Sequence, residues 1–264
     1  MKTKKIFYFL LLLGFLSGCD YLDIVPDNLP TLEMAFNNKS SAERFLFTCY
    51  SFVPEHGKIG TDPGMDVGDE VWYYSDNSAD YSNKTTFWIA KGMQNSNEPL
   101  VDYWNGTQWG KAMFVGIRDC NVFIENIDKV PDLSAYDKET WKAEVKVLKA
   151  FYHFWLMRMY GPIPIVKENI PVSADENEVR VVRDKIDDIV AYTVSLIDES
   201  VDYLPLNIQN EAAEMGRITR PAAKAIKAKI LAFAASPFFN GNLDYANFKN
   251  ADGEPFFNQV YDGE

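Results

Sequence analysis

Between Trp72 and Trp109 the chain places nine aromatic residues among 38, and four of its six tryptophans fall there. Asp76, Asn77, Ser78, Asp80, Ser82 and Asn83 lie among them. Flat apolar rings beside amides and carboxylates suit sugars: the rings stack on C–H faces while the polar groups take the hydroxyls. Trp72, Tyr73, Tyr74 and Trp88 are therefore the candidate stacking residues, with Asp76 and Asn77 as polar partners. Ahead of Asn105 the segment has no clean helical period and reads as a long loop, and such loops in compact domains usually serve function. The competing reading is that these rings pin the loop to helices. It is strongest for Trp104 and Trp109, which stand at the expected start of a helix.

Other chemistries fare less well. Asp69-Glu70, Asp187-Asp188 and Asp198-Glu199 are adjacent carboxylates of the kind a glycosidase would use as acid and base. The last two pairs fall on the solvent side of an expected helix, where a charged outer face accounts for them, so catalysis is not expected. Cys49 and Cys120 occupy apolar stripe positions and read as buried, inert thiols in preference to a disulfide or a metal pair. His153 lies among aromatics with no Cys or carboxylate at ligand spacing, so it reads as a packing residue. With two histidines in all, neither a metal site nor a cofactor is expected. The sequence contains no phosphate-binding loop, dinucleotide fingerprint, nucleophile elbow or zinc-binding helix motif.

The 264 residues are 47% hydrophobic and 24% charged, a globular composition with length enough for a sizeable core. A net charge of −12 argues against nucleic acid as a partner, since phosphate neutralisation needs clustered Lys and Arg. Lys2, Lys4 and Lys5 precede an apolar run, Ile6–Leu16, that is too short to span a bilayer and has the form of a secretory signal. Leu16-Ser17-Gly18-Cys19 follows, in the order of a bacterial lipobox. Residues 1–18 are expected to be removed, with Cys19 then acylated as a membrane anchor. Loss of three lysines leaves 23 basic and 38 acidic residues, net −15. Residues 19–39 read as a lipid-bearing tether and 40–264 as the folded body.

The elements that must position the candidate residues are helices. Ser40 caps a first helix whose stripe is Ala42, Phe45, Leu46, Cys49, Phe52 and Val53, stopped by Pro54. A second is expected from about Asn105 to Ile127. A third runs from about Asp137 to Tyr160, capped at Ser134, ended by Gly161-Pro162, and apolar nearly all round from Ala150 on, hence central. A fourth covers about Lys185 to Leu204. A fifth starts at Thr219 with Pro221 in its first turn, and its stripe of Ala225, Ala228, Ala232 and Ala235 should let another helix approach closely. No strand pattern of comparable length appears. The fold class is mainly α, with tetratricopeptide-like helical hairpins and long loops.

Three segments carry a resemblance. They are the lipobox with Cys19-Asp20-Tyr21-Leu22-Asp23, the run from Lys149 to Val166 (KAFYHFWLMRMYGPIPIV), and the run from Gly216 to Gly241 (GRITRPAAKAIKAKILAFAASPFFNG). Together they resemble the SusD/RagB family of outer-membrane nutrient-binding lipoproteins, over essentially the whole chain. The resemblance implies a surface-exposed outer-membrane lipoprotein that binds a glycan and serves as the lid of a SusC-like TonB-dependent transporter, with no catalysis. A peptide ligand within the same family, or a helical-repeat envelope scaffold without small ligand, are the alternatives. Family members are longer than this chain, and no amphipathic helix follows the alanine stripe. The chain is thus expected to be a C-terminally incomplete, N-terminal portion.

Overall fold

The computed structural model describes residues 32–55, 57, 62–68, 88–108 and 110–263. Helices dominate, and among the described residues β-structure is confined to isolated bridges, Asn240 with Asn258 and Lys249 with Pro255. The helices are α1 Leu32–Ala35, α2 Lys39–Tyr50, α3 Pro63–Asp66, α4 Met113–Asn126, α5 Ala135–Tyr160, α6 Ile186–Asp198, α7 Glu211–Glu214 and α8 Arg220–Ala234. Short 3-10 turns follow α4 at Ile127–Lys129 and α6 at Val201–Tyr203.

The array is sequential: α2 packs on α4, α4 on α5, α5 on α6, and α6 on α8. Helix α5 is its axis. Ser134 caps it by accepting the Asp137 N–H at 3.0 Å, as the sequence predicts, and Gly161 ends it at φ +71°. Tyr152, Phe154, Trp155, Leu156 and Met157 are all buried, in one core with Leu46, Met113, Ile117 and Phe123 from α2 and α4. Thr219 caps α8 through the Ala222 N–H, and Pro221 stands in its first turn as expected.

Several boundaries differ from expectation, each for a local reason. Helix α2 starts at Lys39 because Asn38, not Ser40, supplies the cap, accepting the Ser41 N–H at 2.9 Å. Helix α4 starts at Met113 instead of Asn105, because the Asp102 side chain draws the backbone N–H groups of Trp104 and Asn105 into a turn. Helix α6 stops at Asp198 and gives way to the 3-10 turn before Leu204. The end of the expected tether is not extended, since α1 forms there and Phe36 is buried on Phe45 and Phe123. The alanine stripe of α8 is exposed. Its buried side is Ala223 and Ile230, with Ile226 and Phe233 partly covered by the core.

The last 28 residues are mostly turns, but they are packed. Phe238, Phe239, Tyr245, Phe248, Phe256 and Phe257 interlock, with Tyr245 stacked on Phe257 at 4.8 Å. This cluster ties back to the array where the Ile186 N–H donates to the Phe256 carbonyl at 3.0 Å.

Candidate functional site

Of the residues singled out for ligand contact, Trp88 lies in the described structure. Trp72, Tyr73, Tyr74, Asp76 and Asn77 lie outside the described residues, as do Cys19, Trp109 and the Asp69-Glu70 pair. Trp88 opens a helical turn closed by the Gly92 N–H on the Ile89 carbonyl (2.8 Å) and the Met93 N–H on the Trp88 carbonyl (2.9 Å). Gly92 takes φ +74°, which a side chain would disfavour. Ile89 packs on the core while the Trp88 ring stays 40% exposed, with Lys91 Nζ 5.3 Å from its centroid. Trp88 is thus partly in solvent at the start of a turn closed by two backbone hydrogen bonds.

Both flanks of the aromatic segment dock on the C-terminal end of α5. On the upstream side, buried Asp62 accepts the N–H groups of Gly57 and Gly64, both at 2.9 Å. Gly64 lies so close to the Arg158 guanidinium that a Cβ would collide with it. Arg158 in turn covers the rings of Trp155 (4.9 Å) and Phe233 (5.9 Å). On the downstream side, the Tyr103 N–H donates to the Tyr160 hydroxyl at 2.8 Å, and the Tyr103 ring meets Trp155 edge-on at 5.5 Å. Burial pushes the Tyr103 hydroxyl up to about 12.

Asp102 is the knot of the downstream flank. Its carboxylate accepts from the Trp104 and Asn105 N–H groups, the Asn105 amide and the Thr107 hydroxyl, at 2.9 to 3.1 Å. Burial works against the charge, yet these four bonds hold its pKa below the ordinary carboxylate value. Gly110 passes so close that a Cβ there would run into the Asp102 carbonyl oxygen. Trp104 stands edge-on to Phe114 (4.8 Å) and Tyr160 (5.5 Å), so the packing role expected of it is the one found.

Two concave surfaces elsewhere contain none of the candidate residues. One, about 560 Å³, lies between α4, α5 and α6 and is bounded by Ile124, Lys149, Lys167 and Tyr192. The other, about 230 Å³, lies beside the start of α5, with Tyr136, Gln209 and Arg217 in its wall. Sequence periodicity does not point to Tyr192 or Tyr136, because both fall off the apolar stripes of their helices.

The remaining candidates take structural places. His153 is fully buried, its Nδ1 bonded to the Lys149 carbonyl (2.8 Å) and its Nε2 accepting the Val166 N–H (3.1 Å). Burial brings its pKa down to about 4 and that of Lys149 down to about 8. Asp187 and Asp188 are exposed, and Asp198 and Glu199 make outer-face ion pairs with Lys227 (2.6 Å) and Lys146 (2.8 Å). Cys49 and Cys120 are buried free thiols. Among the described residues no cluster of three His, Cys, Asp or Glu side chains is placed to hold a metal ion. No helix there is long and apolar enough to cross a membrane.

The architecture is an array of helical hairpins with irregular loops pinned at one end. The family model for SusD-like proteins, described as starch-binding and associating with the outer membrane, matches residues 20–231. The chain belongs to the SusD-like (SusD/RagB) family. It is similar to SusD-like protein P25 of Formosa agariphila, 22% identical over 240 residues, 87% of this chain and 43% of that one. Among solved structures it is similar to BT4246, 29% identical with a TM-score of 0.68 over 85% of this chain and 37% of that one. Surface glycan-binding protein A of Bacteroides uniformis shares the fold, at 19% identity and a TM-score of 0.57 over 81% of this chain and 50% of that one. A laminarin-binding SusD-like protein does so too, at 19% identity and a TM-score of 0.59 over 76% and 41%. The chain thus spans half or less of the length of each of these relatives.

Proposed function

We propose that the protein is a cell-surface lipoprotein, acylated at Cys19 and held on the outer membrane, that captures an oligosaccharide and delivers it to a SusC-like TonB-dependent transporter. It binds without transforming its ligand. The observation that carries this reading is membership of a family described as starch-binding and outer-membrane-associated. Two relatives of the same fold are named for binding laminarin and surface glycans. The exposed Trp88, on a segment pinned at both flanks, supports placing the ligand at the Trp72–Trp88 stretch, with Trp72, Tyr73, Tyr74, Asp76 and Asn77 beside it.

The test is calorimetry and affinity electrophoresis of the whole chain against starch, laminarin and a wider glycan panel. Trp88→Ala and Trp72→Ala should each weaken binding about tenfold, about 1.4 kcal/mol, as expected for one stacking ring. Unchanged affinity in both variants refutes the site. Peptide binding with no glycan bound would favour the peptide alternative, and glycan turnover would refute the non-catalytic reading. Co-purification of a transporter with a chain that binds neither would favour the scaffold.

A further inference from the structure

Helices α2 and α4 run antiparallel in a register set by two contacts. Phe45 meets Phe123 at 6.3 Å between centroids. Phe52, just past the end of α2, lies on Gly116, where a Cβ would come within 2.8 Å of the Phe52 ring. Ascending from 45 to 52 therefore matches descending from 123 to 116. Cys49 and Cys120 fall between these contacts, and both are fully buried. The Phe52 ring fills the space that a side chain at Gly116 would take. A disulfide needs Cα atoms closer than about 7 Å and facing Cβ vectors, and the register sets these two residues opposite each other across the helix pair. The Tyr152 hydroxyl of α5 donates to the Cys49 carbonyl and fixes that turn of α2.

We propose that Cys49 and Cys120 are a disulfide-forming pair that cross-links α2 to α4 under oxidising conditions. The structure holds the reduced form. The oxidant is a disulfide, either oxidised glutathione or a disulfide oxidoreductase. One cysteine thiolate attacks it, forming a mixed disulfide and releasing one thiol. The second cysteine thiolate then attacks its neighbour's sulfur in that mixed disulfide and expels the other thiol. The pair loses two protons and two electrons, and the oxidant becomes two thiols. Both sulfurs are out of reach of solvent in the closed fold and burial pushes the Cys120 thiol up, so exchange takes place while the helices assemble. The link closes residues 50–119 at their base, and Trp72, Tyr73, Tyr74 and Trp88 all lie within that stretch. That the protein meets an oxidising compartment rests on the surface-lipoprotein reading. The chemistry itself does not.

The test refolds the full chain from denaturant in a glutathione redox buffer, alkylates it, and maps peptides by mass spectrometry without reduction. The expected result is a Cys49 peptide joined to a Cys120 peptide, with Cys19 alkylated or glutathione-capped. Recovery of Cys49 and Cys120 as separate alkylated or glutathione-capped residues overturns the proposal. The joined chain should melt roughly 10 °C above its reduced form, from the closure of about 70 residues. A joined chain that melts below its reduced form also overturns it, since the native helices would then not present the thiols to each other. Cys49→Ala and Cys120→Ala should each abolish the difference in melting between oxidised and reduced samples. A difference that persists in both counts against the pair. Loss of glycan binding has no bearing on any of these readouts.

Discussion

Acid should weaken this fold through His153, in a window that the structure defines. The imidazole is fully buried, its Nε2 accepts the Val166 N–H at 3.1 Å, and its Nδ1 donates to the Lys149 carbonyl at 2.8 Å. The ring also meets Tyr192 edge-on at 5.3 Å. Protonation has to place a hydrogen on Nε2, which turns the acceptor for Val166 into a second donor facing a donor. The charge would also be buried near the Lys149 ammonium. Burial first, and then Lys149, keep the folded pKa near 4, against 6.5 for the free side chain.

The sign follows from which state takes up the proton. Between pH 6.5 and 4 the unfolded chain binds it and the folded chain does not, so stability falls with pH across that interval and levels off below it. With these two values the loss is about 2 kcal/mol from pH 7 to pH 5 and about 3 kcal/mol by pH 4. Urea unfolding at closely spaced pH values measures this. With a slope of about 2.5 kcal/mol/M, the midpoint should drop about 0.8 M between pH 7 and pH 5. His153→Gln keeps a donor and an acceptor but does not titrate. Whatever its stability at pH 7, it should lack this component of the pH slope. Equal slopes in the two proteins would refute the assignment. Lys149 titrates in a separate window, since its folded value of about 8 makes its effect fall between pH 8 and 10.5.

Arg217 grips Glu144 through Nη2 (2.6 Å) and Nε (3.1 Å), with Tyr50 donating to the same carboxylate and Glu144 only 1% exposed. Arg217→Met should therefore cost about 3–5 kcal/mol in chemical denaturation, and Glu144→Leu added to it should recover much of that. Gly110→Ala forces a methyl group onto the Asp102 carbonyl oxygen and should lower the melting temperature of the whole chain by several degrees. Asp102 has a folded pKa below its ordinary 3.8, so its contribution is present above that value and is lost as pH falls through the folded one. Asp102→Asn should flatten the stability profile below pH 4 and leave the His153 window unchanged, as read by the same urea series.

Helix α5 was legible because its signals are local: a hydroxyl cap at Ser134, apolar residues on nearly every face, and Gly161-Pro162 as a stop. The start of α4 was not, because the stripe through Trp109 and Ala112 continues the helical period while the Asp102 carboxylate overrides it with hydrogen bonds. The orientation of α8 escaped for a related reason. Its small residues and its larger ones both recur at helical spacing, and only tertiary packing chooses Ile226, Ile230 and Phe233 as the inner side. At the candidate site the residue types could be read, but not what holds them. The bond from Tyr103 to Tyr160 joins residues 57 apart. No spacing rule reaches so far.

The anchoring pattern bears on how a ligand would be held. A loop that orders itself around a ligand spends part of the interaction energy on its own entropy, whereas a loop whose ends are already positioned spends less. Here the ends are positioned by side-chain hydrogen bonds and packing. Asp62 gathers Gly57 and Gly64 against Arg158, and Asp102 gathers Trp104, Asn105 and Thr107 beside Tyr160. Both collars rest on the last two turns of α5, where Trp155 is buried and touches Tyr103 on one side and Arg158 on the other. The most deeply packed helix of the array thus also carries both anchors. That arrangement explains why one end of α5 carries so many aromatic residues: the rings that stabilise the core there are the same rings that locate the loop.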